Sequence, residues 1–248
     1  MLNQALIDQL EKIVGKDNLQ IHSERAFILP ENTSAVSEVI KLAGREKFKI
    51  LPLGSGSILD WSKLPSENMV ILKSDRLNRV IKVVAEDLYM IVQAGCPLKD
   101  LNHHLESFNL FYPLADASSS GTIGGAAATN LKANSGERTI QTRKYVLALE
   151  VVVPEGQILN VGARTFKSVT GYDLSRLFVG SWGTLGFICE ISLRLVPARK
   201  RKDYLDIVFN PARIAEIKAQ NSSKTTLSSR IKKSLDPNQV FLSFESLA

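Results

Sequence analysis

Three runs of small residues, set well apart, restrict what this chain can fold into more than any other feature. The first is Pro52-Leu53-Gly54-Ser55-Gly56-Ser57, directly after the apolar stretch Phe48–Leu53. Small residues there let consecutive backbone N–H groups turn toward one point and approach a phosphate closely. It reads equally as an ordinary strand-to-loop turn. It is not a P-loop, because no Gly-Lys-Ser/Thr follows, and Leu59 occupies the third glycine position of a dinucleotide fingerprint. The second run, Ser118 to Asn130, has tiny side chains against which something flat can lie, and it also suits a close-packed turn. Ile123, Ala126–Ala128 and Leu131 make it unlike a linker. The third comprises Gly171-Tyr172-Asp173-Leu174 and Gly180-Ser181-Trp182-Gly183-Thr184-Leu185-Gly186.

The segments between these runs give a mixed pattern. Leu2, Leu6, Ile7, Leu10, Ile13 and Val14 recur at helical spacing, as do Val36, Val39, Ile40 and Ala43. Short apolar runs at 48–53, 70–73, 80–84, 89–94, 146–153 and 158–161 predict strands, and Pro97 opens a helix to Ser107. Phe187–Val196 alternates, with Phe187, Cys189, Ile191 and Leu193 on an expected covered face and Ile188, Glu190, Ser192 and Arg194 on a wetter one. Strands joined by tight turns outnumber helices, so an α+β fold is expected over a regularly alternating parallel sheet.

Taken in order, the motifs resemble the PCMH-type FAD-binding domain of the vanillyl-alcohol-oxidase superfamily. The shared features are Pro52–Ser57, Ala94-Gly95 with Leu98, Leu101 and Leu105 downstream, Thr122-Ile123-Gly124-Gly125, and Gly183-Thr184-Leu185-Gly186. The stretch Lys167–Leu177 is most similar to the glycolate-oxidase group, and there to its smaller flavin (E) subunit. The resemblance covers roughly residues 8–197. It implies a two-lobed α+β domain over 1–197, with lobes of about 1–85 and 86–197, that clamps FAD. Leu53, Gly54, Ser55, Gly56 and Ser57 would hold the diphosphate, and Thr122, Gly124 and Gly125 would lie against the cofactor. Asp116, Ser120, Thr129 and Asn130 are weaker candidates, and Ile188 would meet the adenine end through its backbone. Asp173 reads as fixing its own turn, and no residue is assigned as catalytic.

Three departures qualify the resemblance. Relatives that attach flavin covalently use a histidine in or near the phosphate loop, or a cysteine. Here His22, His103 and His104 fall outside that loop, so the FAD is expected to be non-covalent. Where relatives carry an Arg-Asp pair after the second run, this chain has Arg143-Lys144. Enzymes of the group also carry a cap domain that supplies most substrate contacts. The residues after Pro197 are only about a fifth of the chain, so 198–248 is expected to be a cap remnant or basic extension. Within it Ile231–Asn238 resembles the family's C-terminal return to the flavin domain.

Composition then narrows the setting. Between Ala198 and Lys233 ten Lys/Arg face three acids, a surplus of seven against a whole-chain net charge of +6. Such a patch suits an acidic protein, an anionic surface, or plain solvation. No aromatics interleave it as in a nucleic-acid module, so nucleic acid is not expected. Two isolated cysteines and no apolar run of about 20 residues suggest the cytoplasm, with peripheral contact at the inner face of the membrane left open. The implied function is a flavin subunit of a glycolate- or lactate-type dehydrogenase complex, with a larger flavin subunit or an iron–sulfur subunit as partner. A non-catalytic flavin-fold scaffold and a free-standing flavin oxidoreductase are the alternatives.

Overall fold

The computed structural model describes residues 3–22, 25–59, 61–64, 69–115, 120–163, 173–204, 207–210 and 225–243. In the first lobe, helix α1 (Gln4–Val14) is capped by Asn3, whose side chain accepts from Leu6 N at 2.8 Å. Helix α2 (Thr33–Glu46) is capped in the same way by Asn32, which accepts from Ala35 N at 2.9 Å. Both bury their apolar stripes, Leu6, Leu10 and Val14 on α1 and Val36, Val39 and Ile40 on α2. They pack on a sheet of β1 (Leu19–His22), β2 (Arg25–Ile28), β3 (Lys49–Leu53) and β4 (Met69–Lys73), ordered β1-β2-β4-β3. Strand β4 lies parallel to both β2 and β3, and its Met69–Leu72 run is buried throughout, as an inner parallel strand requires. The carboxyl ends of β3 and β4 therefore emerge side by side.

The second lobe is an antiparallel sheet ordered β11-β10-β12-β6-β5. Its strands are β5 (Val80–Val84), β6 (Tyr89–Gln93), β10 (Val146–Val152), β11 (Ile158–Gly162) and β12 (Phe187–Arg194). Because β5 and β6 form a hairpin within this sheet, the first lobe ends near Lys73 and not at residue 85 as the sequence suggests. Helices α3 (Leu98–Leu105) and α4 (Ile123–Thr129) contribute to its core. Strand β7 (Leu110–Phe111) pairs with β13 (Val196–Pro197), so the expected strand 187–196 is two, parted at Leu195. A three-stranded sheet of β14 (Ile207–Asn210), β8 (Lys132–Ser135) and β9 (Arg138–Gln141) lies beside it.

The expectation of one wetter face on β12 is met only at Glu190 and Arg194, which are half-buried. Phe187, Ile188, Cys189, Ile191, Ser192 and Leu193 are all buried. Register shifts between β10 and β12 at Glu150/Val151, and Phe187 and Cys189 join the first lobe's core while Ile188, Ile191 and Leu193 join the second's. Strand β12 is thus the wall shared by both lobes.

The segment beyond Pro197 is not a loose tail over its described part. Strand β14 extends the β8–β9 hairpin, and helix α5 (Thr225–Leu235) leads into a return that pairs Phe241 with Ile50 in parallel. Lys232 Nζ donates to Thr184 O at 2.7 Å, to Phe241 O at 3.0 Å and to the buried Asp236 carboxylate. Asp236 in turn accepts from Val240 N at 2.8 Å and Phe241 N at 3.0 Å. The return therefore fastens the third small-residue run to the first lobe.

Candidate functional site

A solvent-open cleft of about 360 Å3 runs between the lobes where β3 and β4 end. Its first wall is the loop after β3. Gly54 to Ser57 line it, with Leu53, Ile58 and Leu59 beside them. Gly56 has φ +75°, a left-handed conformation that glycine adopts without cost. A Cβ added at Gly54 would collide with Thr122 Oγ1, so this loop rests directly on the start of α4.

That start is the second wall. Thr122 caps α4, its hydroxyl accepting from Gly125 N at 3.1 Å. A Cβ at Gly124 would lie 2.7 Å from Ala94 Cβ, which is how α4 sits flush against the end of β6. Ser120, Thr122, Gly124, Gly125 and Thr129 all line the cleft. Asn130 does not. It closes α4 at φ 49°, donates to Gln141 Oε1 at 3.3 Å and accepts from Arg143 N at 3.0 Å, a structural role. Asp116 lies outside the described residues.

The third wall is the turn from Trp182 to Ile188. Its backbone is tied to α4, with Gly180 N donating to Ala127 O at 3.0 Å and Trp182 N to Ala128 O at 2.9 Å. Gly183 stands over Pro52, 3.1 Å from where its Cβ would be. Ile188 lines the cleft, as do Trp182, Phe187 and, from β14, Phe209. Trp182 holds φ 59°, which a bulky residue adopts only at some cost.

Among the described residues that line the cleft there is no Asp, Glu, Lys, Arg, His or Cys. What these residues offer an anion is backbone N–H groups and hydroxyls. Ser55 and Ser57 supply two, their oxygens 3.2 Å apart. A third was not legible in sequence. Ser74, directly after β4, lines the cleft and is 4% exposed, and its Oγ has no hydrogen-bond partner. Phe209 and Trp182 were also missed, since a single aromatic in a loop or basic segment carries no signal of its own.

The remaining chemistry-bearing residues sit elsewhere. His22, His103 and His104 are exposed and do not line the cleft. Cys96 and Cys189 are buried free thiols. Burial, helped by Asp100, pushes the Cys96 thiol up to about 11, and burial raises Cys189 further. Lys144, where relatives carry an acid, is exposed and away from the cleft. Asp173 accepts from Ser175 N at 3.1 Å and Arg176 Nε at 3.1 Å, fixing its own turn. Partial burial pulls its carboxyl upward, but these hydrogen bonds and the guanidinium hold it below the usual value. Tyr172 lies outside the described residues.

A two-lobed α+β fold with an uncharged cleft of small residues at the ends of parallel strands defines a binder of a dinucleotide cofactor. The family profile described as "FAD binding domain" matches residues 25–162. The chain belongs to this family of FAD-binding domains. Glycolate oxidase subunit GlcD of Bacillus subtilis is 38% identical over 181 residues, covering 73% of this chain and 38% of that protein. A mitochondrial D-lactate dehydrogenase (cytochrome) of Arabidopsis thaliana is 36% identical over 77% of this chain and 37% of its own. Among solved structures, alkyldihydroxyacetonephosphate synthase superposes with a TM-score of 0.65 at 18% identity, over 79% of this chain and 41% of that one. The chain thus spans about two fifths of the length of these relatives. Among the described residues no helix is long and apolar enough to cross a membrane.

Proposed function

We propose that the chain is the flavin domain of a glycolate- or lactate-type 2-hydroxy acid dehydrogenase, holding FAD non-covalently. The observation that carries this is the composition of the cleft: small residues, backbone N–H groups and hydroxyls at the ends of β3 and β4, with no charged side chain among the described lining residues. Bound FAD would supply the redox chemistry. Leu53–Ser57 would hold its diphosphate, and Thr122–Gly125 would give the flat surface against which it lies. Neither histidine nor cysteine lines the cleft, which favours a cofactor without a covalent link. The glycolate oxidase subunit and the D-lactate dehydrogenase that are 38% and 36% identical to this chain support the substrate class. Purified protein should absorb near 450 nm, and acid precipitation should leave the colour in solution. Colour retained in the pellet refutes the non-covalent reading. A colourless protein that FAD cannot reconstitute refutes the whole proposal in favour of a scaffold.

We further propose that the chain works within an assembly, as the smaller flavin subunit beside a larger flavin subunit or an iron–sulfur subunit. A basic face favours this. Arg138, Arg194 and Arg201 lie over the rings of Tyr204, Tyr145 and Phe111 at 5.2, 5.3 and 5.3 Å. Arg199, Lys200 and Lys202 are exposed beside them. Guanidinium groups held over rings lose less freedom on meeting carboxylates than free side chains do. The setting is the cytoplasm, and the same face would serve peripheral contact with the inner leaflet.

A further inference from the structure

Ser74 follows β4 as the backbone leaves the sheet, and its own N donates to Leu53 O at 2.9 Å. It therefore sits beside the first residue of the phosphate loop. Its carbonyl accepts from Leu77 N at 2.8 Å, and Gly95 packs so closely on that carbonyl that any Cβ at Gly95 would collide with it. The backbone is thus fixed from two sides. The hydroxyl is not satisfied: Ser74 is 4% exposed, lines the cleft, and its Oγ has no partner. Among the described residues Asn18 Oδ1 is also buried without a partner, and Asn18 does not line the cleft.

A buried hydroxyl without a partner is unfavourable, and an apolar side chain of similar size is the better choice for packing alone. Native proteins keep such groups where a ligand completes them. With no charged residue among the described ones on the cleft, each hydroxyl donor there bears more of an anion's stabilisation.

We propose that Ser74 is a cofactor-binding residue, its hydroxyl donating a hydrogen bond to the FAD diphosphate beside the backbone of Leu53–Ser57. This rests on the reading of the cleft as an FAD site. Ser74 is a binding residue and takes no part in proton or hydride transfer.

The test is Ser74→Ala in the full chain, comparing FAD, ADP and riboflavin on apoprotein. A lost hydrogen bond to a charged group predicts affinity for FAD and for ADP about tenfold weaker or more. Riboflavin, which has no phosphate, should bind within about twofold of wild type on the same premise. The apoprotein's Tm should stay level or rise, because the substitution removes an unpaired hydroxyl. A Ser74→Ala protein that keeps wild-type affinity for FAD and ADP overturns the proposal. So does equal weakening of all three ligands with a lowered apo Tm, which would mark a packing role. Wild-type protein that binds no flavin refutes the function proposed above, a result separate from either.

Discussion

Gly54 and Gly56 are both glycine for the cleft's sake, but for different physical reasons. Gly54 is excluded by space, since its Cβ would strike Thr122 Oγ1. Gly56 is excluded by conformation, with φ +75°, and by Trp61 Cζ2 at 3.2 Å from its added Cβ. Gly54→Ala should push the loop off α4 at a cost of about 1–3 kcal/mol. Gly56→Val adds about 1–2 kcal/mol of left-handed strain. Both should lower the ratio of FAD to protein after gel filtration at least tenfold, with the far-UV circular dichroism unchanged. Retention of stoichiometric FAD by Gly56→Val would show that this loop does not hold the diphosphate. The sequence revealed these positions because glycine and serine clustered after a strand are an unusual local pattern. It did not reveal Ser74, because one serine beside a turn differs from no other until its burial is known.

The cysteines give a second prediction at the same scale. Both thiols are buried, with pKa values raised by that burial, Cys96 to about 11. The thiolate is the reactive form, so at pH 8 almost none is present at Cys96 in the native state. Ellman's reagent should titrate no thiol in native protein at pH 8 and two in guanidinium chloride. A rapidly reacting native thiol would place one cysteine in a more open setting.

Among the elements, the amphipathic helices α1 and α2 and the hairpins were legible from periodicity, to within a residue or two at their ends. Helix α4 was not, although its residues were singled out. Gly124 and Gly125 weaken any local preference for helix, and Ile123 is its one bulky side chain. Packing forms it: Gly124 N donates to Ala94 O at 2.7 Å and Ile123 N to Cys96 O at 3.0 Å. The alternation in β12 held only in part for a related reason, since a strand shared by two cores buries Ile188 and Ser192 and leaves only Glu190 and Arg194 half-exposed. The return after α5 was legible only by resemblance, yet it carries the buried Lys232–Asp236 pair, with side chains 14% and 0% exposed. Lys232→Met would leave the Asp236 carboxylate buried without its cation. Such losses cost about 3–5 kcal/mol, which urea unfolding should register. Because Lys232 also holds Thr184 O, FAD affinity should fall with it. Unchanged stability would show that the Lys232–Asp236 pair does not hold the return in place.

At the scale of the molecule, the absence of any titratable side chain among the described residues lining the cleft bears on activity. Oxidation of a 2-hydroxy acid requires a base within hydrogen-bond reach of the substrate. The described cleft offers none, so that group has to come from outside it, and a partner subunit is the source we propose. The isolated chain should then bind FAD yet turn over glycolate or D-lactate at a negligible rate. The basic face is where such a partner would dock. Its residues do not line the cleft, so docking and cofactor binding should separate on mutation. Reversal of Arg199, Lys200, Arg201 and Lys202 to glutamate should abolish co-elution with a co-expressed larger flavin or iron–sulfur subunit, while the 450 nm absorbance remains. Charge steering is screened beyond a Debye length of about 8 Å at physiological salt. Raising the salt to about 1 M shortens that length to about 3 Å and should mimic the reversal. Co-elution that survives both treatments would return the basic face to solvent. Appreciable dehydrogenase activity from the pure single chain would show that the missing base belongs to this chain after all.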